Sequence, residues 1–104
     1  MSRPVRWSRD ALDDLKAQAA VIAARNPEAA RRVAGAVRAS AAGLAGVPSG
    51  RPGRVPGTYE KAVAGLPLVV AYALVPVPEG GEAVAILRVI HTARDWPEGG
   101  WPQN

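Results

Sequence analysis

Apolar positions change their period about halfway along the chain. From residue 9 to residue 44 they recur every three or four places, as one face of a helix requires; from residue 58 to residue 91 they alternate or run together, as strands do. Ahead of both stands Val5-Arg6-Trp7, a short β-prone segment. Ser8 then offers a helix N-cap, and Asp10 places a carboxylate in the first turn, where the helix dipole favours it. Leu12, Leu15, Ala19 and Ile22 form an apolar stripe on a first helix of about four turns. Asp13, Asp14, Lys16 and Gln18 lie off that stripe and are predicted to face water.

Asn26-Pro27-Glu28 is a second helix start: Asn caps, Pro suits the first helical position and Glu suits the positive end. Ala30, Val33, Val37, Ala41 and Leu44 make its stripe, with Gly35 inside it and Gly43, Gly46 and Pro48 ending it. The link between the helices is short, which predicts an antiparallel hairpin. Both stripes are alanine-rich, so they pack closely but bury little area and need a third element to pack on.

Residues 48–57, rich in Gly and Pro, read as a loop that carries Arg51 and Arg54. Three strands are predicted after it, over 58–63, 67–75 and 83–91, with a Pro-Glu-Gly-Gly hairpin loop between the last two. Short links make these strands an antiparallel meander. The fold class is therefore α+β: a short N-terminal strand, then a helical hairpin packed on a small antiparallel sheet. Whether the first strand joins at the edge or in the middle stays open. In the last strand, alternation puts Val84, Ile86, Arg88 and Ile90 on one face and Ala85, Leu87, Val89 and His91 on the other. The sheet's second face is expected to be free for a ligand or partner.

At 104 residues the chain fits one domain, residues 1–104, with room for one modest core. Cysteine is absent and His91 is the only histidine, so thiol chemistry, disulfides and multi-histidine metal sites are excluded; no cofactor or metal is expected. No apolar run is long enough to span a membrane and no signal-peptide pattern opens the chain, which predicts a cytoplasmic protein with no membrane partner. Thirteen basic residues against nine acidic ones give a net charge of +4. Eleven of the basic residues are arginine, which suits a nucleic acid or an acidic protein partner but equally reflects a G+C-rich coding sequence.

Several segments, in order, carry a resemblance. They are Val5-Arg6-Trp7-Ser8 with Ala11 and Leu15; Asn26-Pro27 with Ala29-Ala30; Gly50-Arg51-Pro52-Gly53-Arg54; Gly57-Thr58-Tyr59-Glu60; Val69-Val70-Ala71-Tyr72; Ile86-Leu87-Arg88-Val89-Ile90-His91; and Ala93-Arg94-Asp95-Trp96-Pro97. Together they resemble the RelE/ParE superfamily of toxins from bacterial type II toxin–antitoxin systems. The resemblance covers nearly the whole chain, and it is closer to the ParE-like branch in Gly-Arg-Pro-Gly-Arg-Val and in His-Thr-Ala-Arg-Asp-Trp.

The resemblance implies one of two activities. A ParE-like toxin poisons DNA gyrase without catalysis of its own, is neutralised by a cognate antitoxin, and would meet its target through Arg51, Arg54, Arg88, Arg94 and Trp96. A RelE-like toxin is an endonuclease that cuts mRNA on the ribosome, which needs a base, an acid and cations around the phosphate. Here Arg54, Arg88 and His91 are the candidates for that chemistry. Thr92 and Ala93 stand where that branch has arginines, and Trp96 stands near its tyrosine, with no acidic hydroxyl to give. Each residue also has a plain structural role open to it. His91 can be a hydrogen-bonded strand end, Arg88 the partner of Glu60 or Asp95, Arg51 and Arg54 solvated loop cations, and Trp96 a core residue.

Overall fold

The computed structural model describes residues 3–92. Its elements are β1 (Val5–Trp7), α1 (Arg9–Ala23), α2 (Pro27–Gly43), β2 (Arg51–Pro52), β3 (Tyr59–Ala62), β4 (Leu68–Pro76) and β5 (Glu82–His91). The five strands form one sheet in the order β1-β5-β4-β3-β2. β2 to β5 pair antiparallel, as the short links require. β1 lies at the edge and runs parallel to β5, because the helical hairpin carries the chain across before the meander begins. The sheet is thus mixed, and the segment read as a loop contributes a two-residue strand at the opposite edge.

Both helix starts follow from local chemistry. Ser8 Oγ accepts the Ala11 N–H at 3.0 Å, and Asn26 Oδ1 accepts the Ala29 N–H at 3.1 Å. Pro27 occupies the first helical position, where its missing N–H costs nothing. The α2 stripe packs as expected, with Ala30, Val37, Ala41 and Leu44 buried. The α1 stripe departs from expectation only at its start. Leu15 is buried and Ala19 and Ile22 are half-buried, but Ala11 is fully buried whereas Leu12 is 40% exposed. Ser8 ties this first turn to β5 through the Leu87 carbonyl.

The core lies between the hairpin and the sheet. Ala11 and Leu15 from α1 and Val37, Ala41 and Leu44 from α2 and its cap meet Leu68, Val70 and Tyr72 of β4 and Val84, Ile86 and Val89 of β5. Val89 belongs to this face because the ladder slips: Ala71 pairs with Arg88 but Tyr72 pairs with Ile86, so Leu87 is an extra residue in β5. Such a bulge inverts the alternation beyond it. Val84 and Ile86 face the helices before it and Val89 does so after it, which corrects the uniform two-face reading of β5.

The second face is not the open surface expected of it. Val69, Ala71, Ala73, Leu87 and Ile90 all lie outside the helix-facing cluster and are nonetheless buried. The unbroken apolar run of β4 is the pattern of a strand buried on both sides.

Candidate functional site

Two arginine–carboxylate nodes organise the chemistry of this fold. The first sits where β1 stops. β1 covers β5 only as far as Ile86, so the backbone groups of β5 beyond that point need other partners. α1 supplies them. Ser8 N–H donates to the Ile86 carbonyl at 2.9 Å and Ser8 Oγ donates to the Leu87 carbonyl at 2.9 Å. Asp14 Oδ2 accepts the Val89 N–H at 2.9 Å. The same carboxylate takes Arg88 in a two-pronged grip, Nε to Oδ2 at 2.8 Å and Nη2 to Oδ1 at 2.9 Å. The Arg88 and Asp14 side chains are 20% and 17% exposed. The hydrogen bond to Asp14 raises the guanidinium pKa above its ordinary value against the desolvation that lowers it. Asp14 is therefore not a solvated helix residue, and it is a partner of Arg88 that the sequence did not suggest.

The second node lies at the far edge, around Glu60. Glu60 is buried on β3, and its carboxylate holds the arginine loop from below. Oε2 accepts the Arg54 backbone N–H at 3.0 Å, and Oε1 accepts Arg51 Nη2 at 3.3 Å. Further bonds tie the loop down. Gly53 N–H donates to the Thr58 carbonyl at 2.8 Å, Thr58 Oγ1 donates to the Val55 carbonyl at 2.6 Å, and Tyr72 Oη donates to the Ser49 carbonyl at 2.6 Å. Glycine is required at two of these points. Gly50 has φ +121°, and a Cβ there would strike the Glu60 carbonyl; a Cβ on Gly53 would strike the Thr58 hydroxyl. A segment composed like a flexible loop is thus held in one shape, with the Arg51 side chain 73% exposed above a carboxylate that is 3% exposed.

The sequence-predicted residues fall in separate places. Arg51 and Arg54 come together over Glu60. Arg88 is turned to α1. His91 ends β5 and lines a cavity of about 150 Å³ with Gln18, Val21, Ile22, Val33, Leu66 and Leu68 on the helix side. Arg94 and Trp96 lie outside the described residues, as does Asp95. Among the described residues no group of three or more His, Cys, Asp or Glu side chains could hold a metal ion, and no helix is long and apolar enough to cross a membrane.

Sequence reasoning missed Asp14 and Glu60. A signal existed for Glu60: a lone acid inside a strand, directly after a loop with two arginines. For Asp14 none did, since its partner stands 74 residues away.

A third feature is the groove between the helices. Ala19, Ala20 and Ala23 of α1 face Ala30 and Ala34 of α2 across about 390 Å³, with Lys16 and Arg31 at its edges. Its floor is almost wholly methyl groups.

Comparison with known proteins agrees with this architecture. The family described as "ParE toxin of type II toxin-antitoxin system, parDE" matches residues 5–96. A protein of Sinorhizobium fredii described as "Putative toxin Y4kP" is 36% identical over 100 residues, covering 94% of this chain and 98% of its own. A solved structure titled "Chromosomal ParDE TA system from P. aeruginosa" superposes with a TM-score of 0.77 at 23% identity, over 86% of this chain and 96% of that one, and shows the same fold. The match spans both arginine nodes and all seven elements, and the chain belongs to the ParE toxin family of type II toxin–antitoxin systems.

Proposed function

We propose that this ParE-type toxin arrests growth by poisoning DNA gyrase and is held inactive by a cognate antitoxin. The observation that carries the reading is the rigid display of Arg51 and Arg54 over a buried acid, in a chain that matches the ParE family from residue 5 to residue 96. Poisoning of this kind needs surface recognition and no catalytic group. Exposed arginines on a fixed loop suit it, because little side-chain and backbone freedom is lost on binding. Arg51, Arg54, Arg94 and Trp96 form the proposed contact set. Arg88 is engaged by Asp14 against α1 and is left out of that set.

The antitoxin reading rests on the inter-helix groove. Its alanine floor accepts one face of an amphipathic helix, and Lys16 and Arg31 at its edges favour acidic flanks on that helix. Burial of the groove adds apolar contact to a small core, so the bound toxin is expected to melt at a higher temperature than the free one.

The test is induction in cells. Expression alone should stop growth and leave gyrase-dependent breaks in plasmid DNA, and co-expression of the antitoxin encoded beside it should relieve both. Growth arrest accompanied by cleaved mRNA and intact plasmid would refute the gyrase target.

A further inference from the structure

The Glu60 node borders a cleft that the proposed function leaves unassigned. It measures about 410 Å³ and is lined by Gly50 and Arg51 on one side, Ala62 and Val69 below, and Thr92 opposite, with Glu60 and Lys61 completing the wall. Two properties of this cleft point to its ligand. Arg51 spends one guanidinium nitrogen on Glu60, at 3.3 Å, and its side chain is 73% exposed, so its other donors face outward. The cleft's cations also outnumber its single carboxylate, and that carboxylate is engaged by Arg51 and by the Arg54 N–H.

We infer that this cleft seats a backbone phosphate of duplex DNA, with Arg51 as the contacting cation and Glu60 as the residue that positions it. A guanidinium that pairs with a carboxylate through one nitrogen keeps its remaining N–H groups available, and their fork matches the geometry of phosphate oxygens. The choice of duplex DNA rests on the gyrase reading, in which the toxin acts at a protein–DNA junction; the phosphate site itself rests on the cleft.

The experiment is a binding titration of the full-length toxin, freed of antitoxin, against a short fluorescent DNA duplex over a range of salt. Arg51→Ala and Arg51→Lys are compared with Arg38→Ala, which removes the same charge from the exposed face of α2. Arg51→Ala should weaken binding roughly three- to tenfold and lower the salt slope by about one unit, the signature of one lost phosphate contact. Arg38→Ala should leave the slope unchanged, and Arg51→Lys should restore most of it. Equal losses for Arg51→Ala and Arg38→Ala would mean attraction by net charge alone and would overturn the site. So would an absence of binding at low salt, or tighter binding of a single-stranded RNA of equal length. Gyrase cleavage measured on the same preparations separates the two ideas. Poisoning without DNA binding removes this site and keeps the target, whereas Arg51-dependent DNA binding without poisoning does the reverse.

Discussion

Arg88 and Arg51 each pair with a carboxylate, yet the two pairs are built in opposite senses. At Arg88 both partners are largely covered, the grip is two-pronged, and the acid also takes a backbone N–H. At Arg51 the acid is buried, the arginine stands in solvent, and a single long bond joins them. The first pair seals an open strand edge against a helix. In the second the acid does the structural work, on the loop backbone, and leaves the cation on show. One residue type thus serves cohesion at one edge of the sheet and is displayed to solvent at the other, and the burial of each partner distinguishes them.

If that contrast is right, removing the acids should hurt stability far more than removing the exposed cation. Asp14→Ala strips three hydrogen bonds from a part-buried site, taking a carboxylate from Arg88 and the acceptor from the Val89 N–H; it should cost about 2–4 kcal/mol in urea unfolding. Asp14→Asn, which can still accept the Val89 N–H, should lose less.

Glu60→Ala should cost about 1–3 kcal/mol, since it orphans the Arg54 N–H and unfastens the loop. Its local sign is faster amide exchange at Arg54 and Gly53, while amides near Arg88 stay as protected as the lower global stability allows. Equal loosening at both edges would break the contrast.

Tyr72 gives an alkaline test of the loop's other fastening. Burial, and then the neighbouring Tyr59, raise its phenol pKa above the ordinary tyrosine value, with Arg3 acting in the other direction. Its contribution to stability is complete below about pH 10 and is lost as pH rises through the folded-state pKa. Tyr72→Phe should cost about 1 kcal/mol at neutral pH, through the lost bond to Ser49, and should flatten the fall in stability above pH 10. An unchanged alkaline slope would remove Tyr72 from this account.

The smallest effect is expected at Arg51. Arg51→Ala should change stability by less than about 0.5 kcal/mol, as for most exposed ion pairs. It should still reduce growth arrest in cells. A large loss of stability would move Arg51 into the structural class.

The elements of this fold were legible because their signals are local. Ser8, Asn26 and Pro27 mark helix starts by their own chemistry, and the meander is written in short apolar runs with short links. What was not legible depends on distant pairings. Asp14 looks like a water-facing helix residue until β5 arrives beside it, and Leu12 looks like core although Ala11 takes the buried place beside Leu15. The bulge at Leu87 leaves no mark in a strand apolar on both faces. β2 is two residues of a Gly/Pro-rich segment, held in place by its register with Tyr59 and Glu60. Of the candidate site, Arg51 and Arg54 could be named from sequence; Glu60 left a signal as a lone acid in a strand, but its burial and its grip on the loop depend on the register of β2 with β3.

The most direct measurement is a plasmid cleavage assay with purified gyrase, ATP and antitoxin-free toxin, run with the wild-type chain and with Arg51→Ala of verified stability. The account predicts stabilised double-strand cleavage and lost supercoiling with the wild type, both weakened in the variant. No cleavage by folded wild-type toxin that still arrests growth in cells would contradict the gyrase target. Undiminished cleavage by Arg51→Ala would contradict the role given to the displayed arginine.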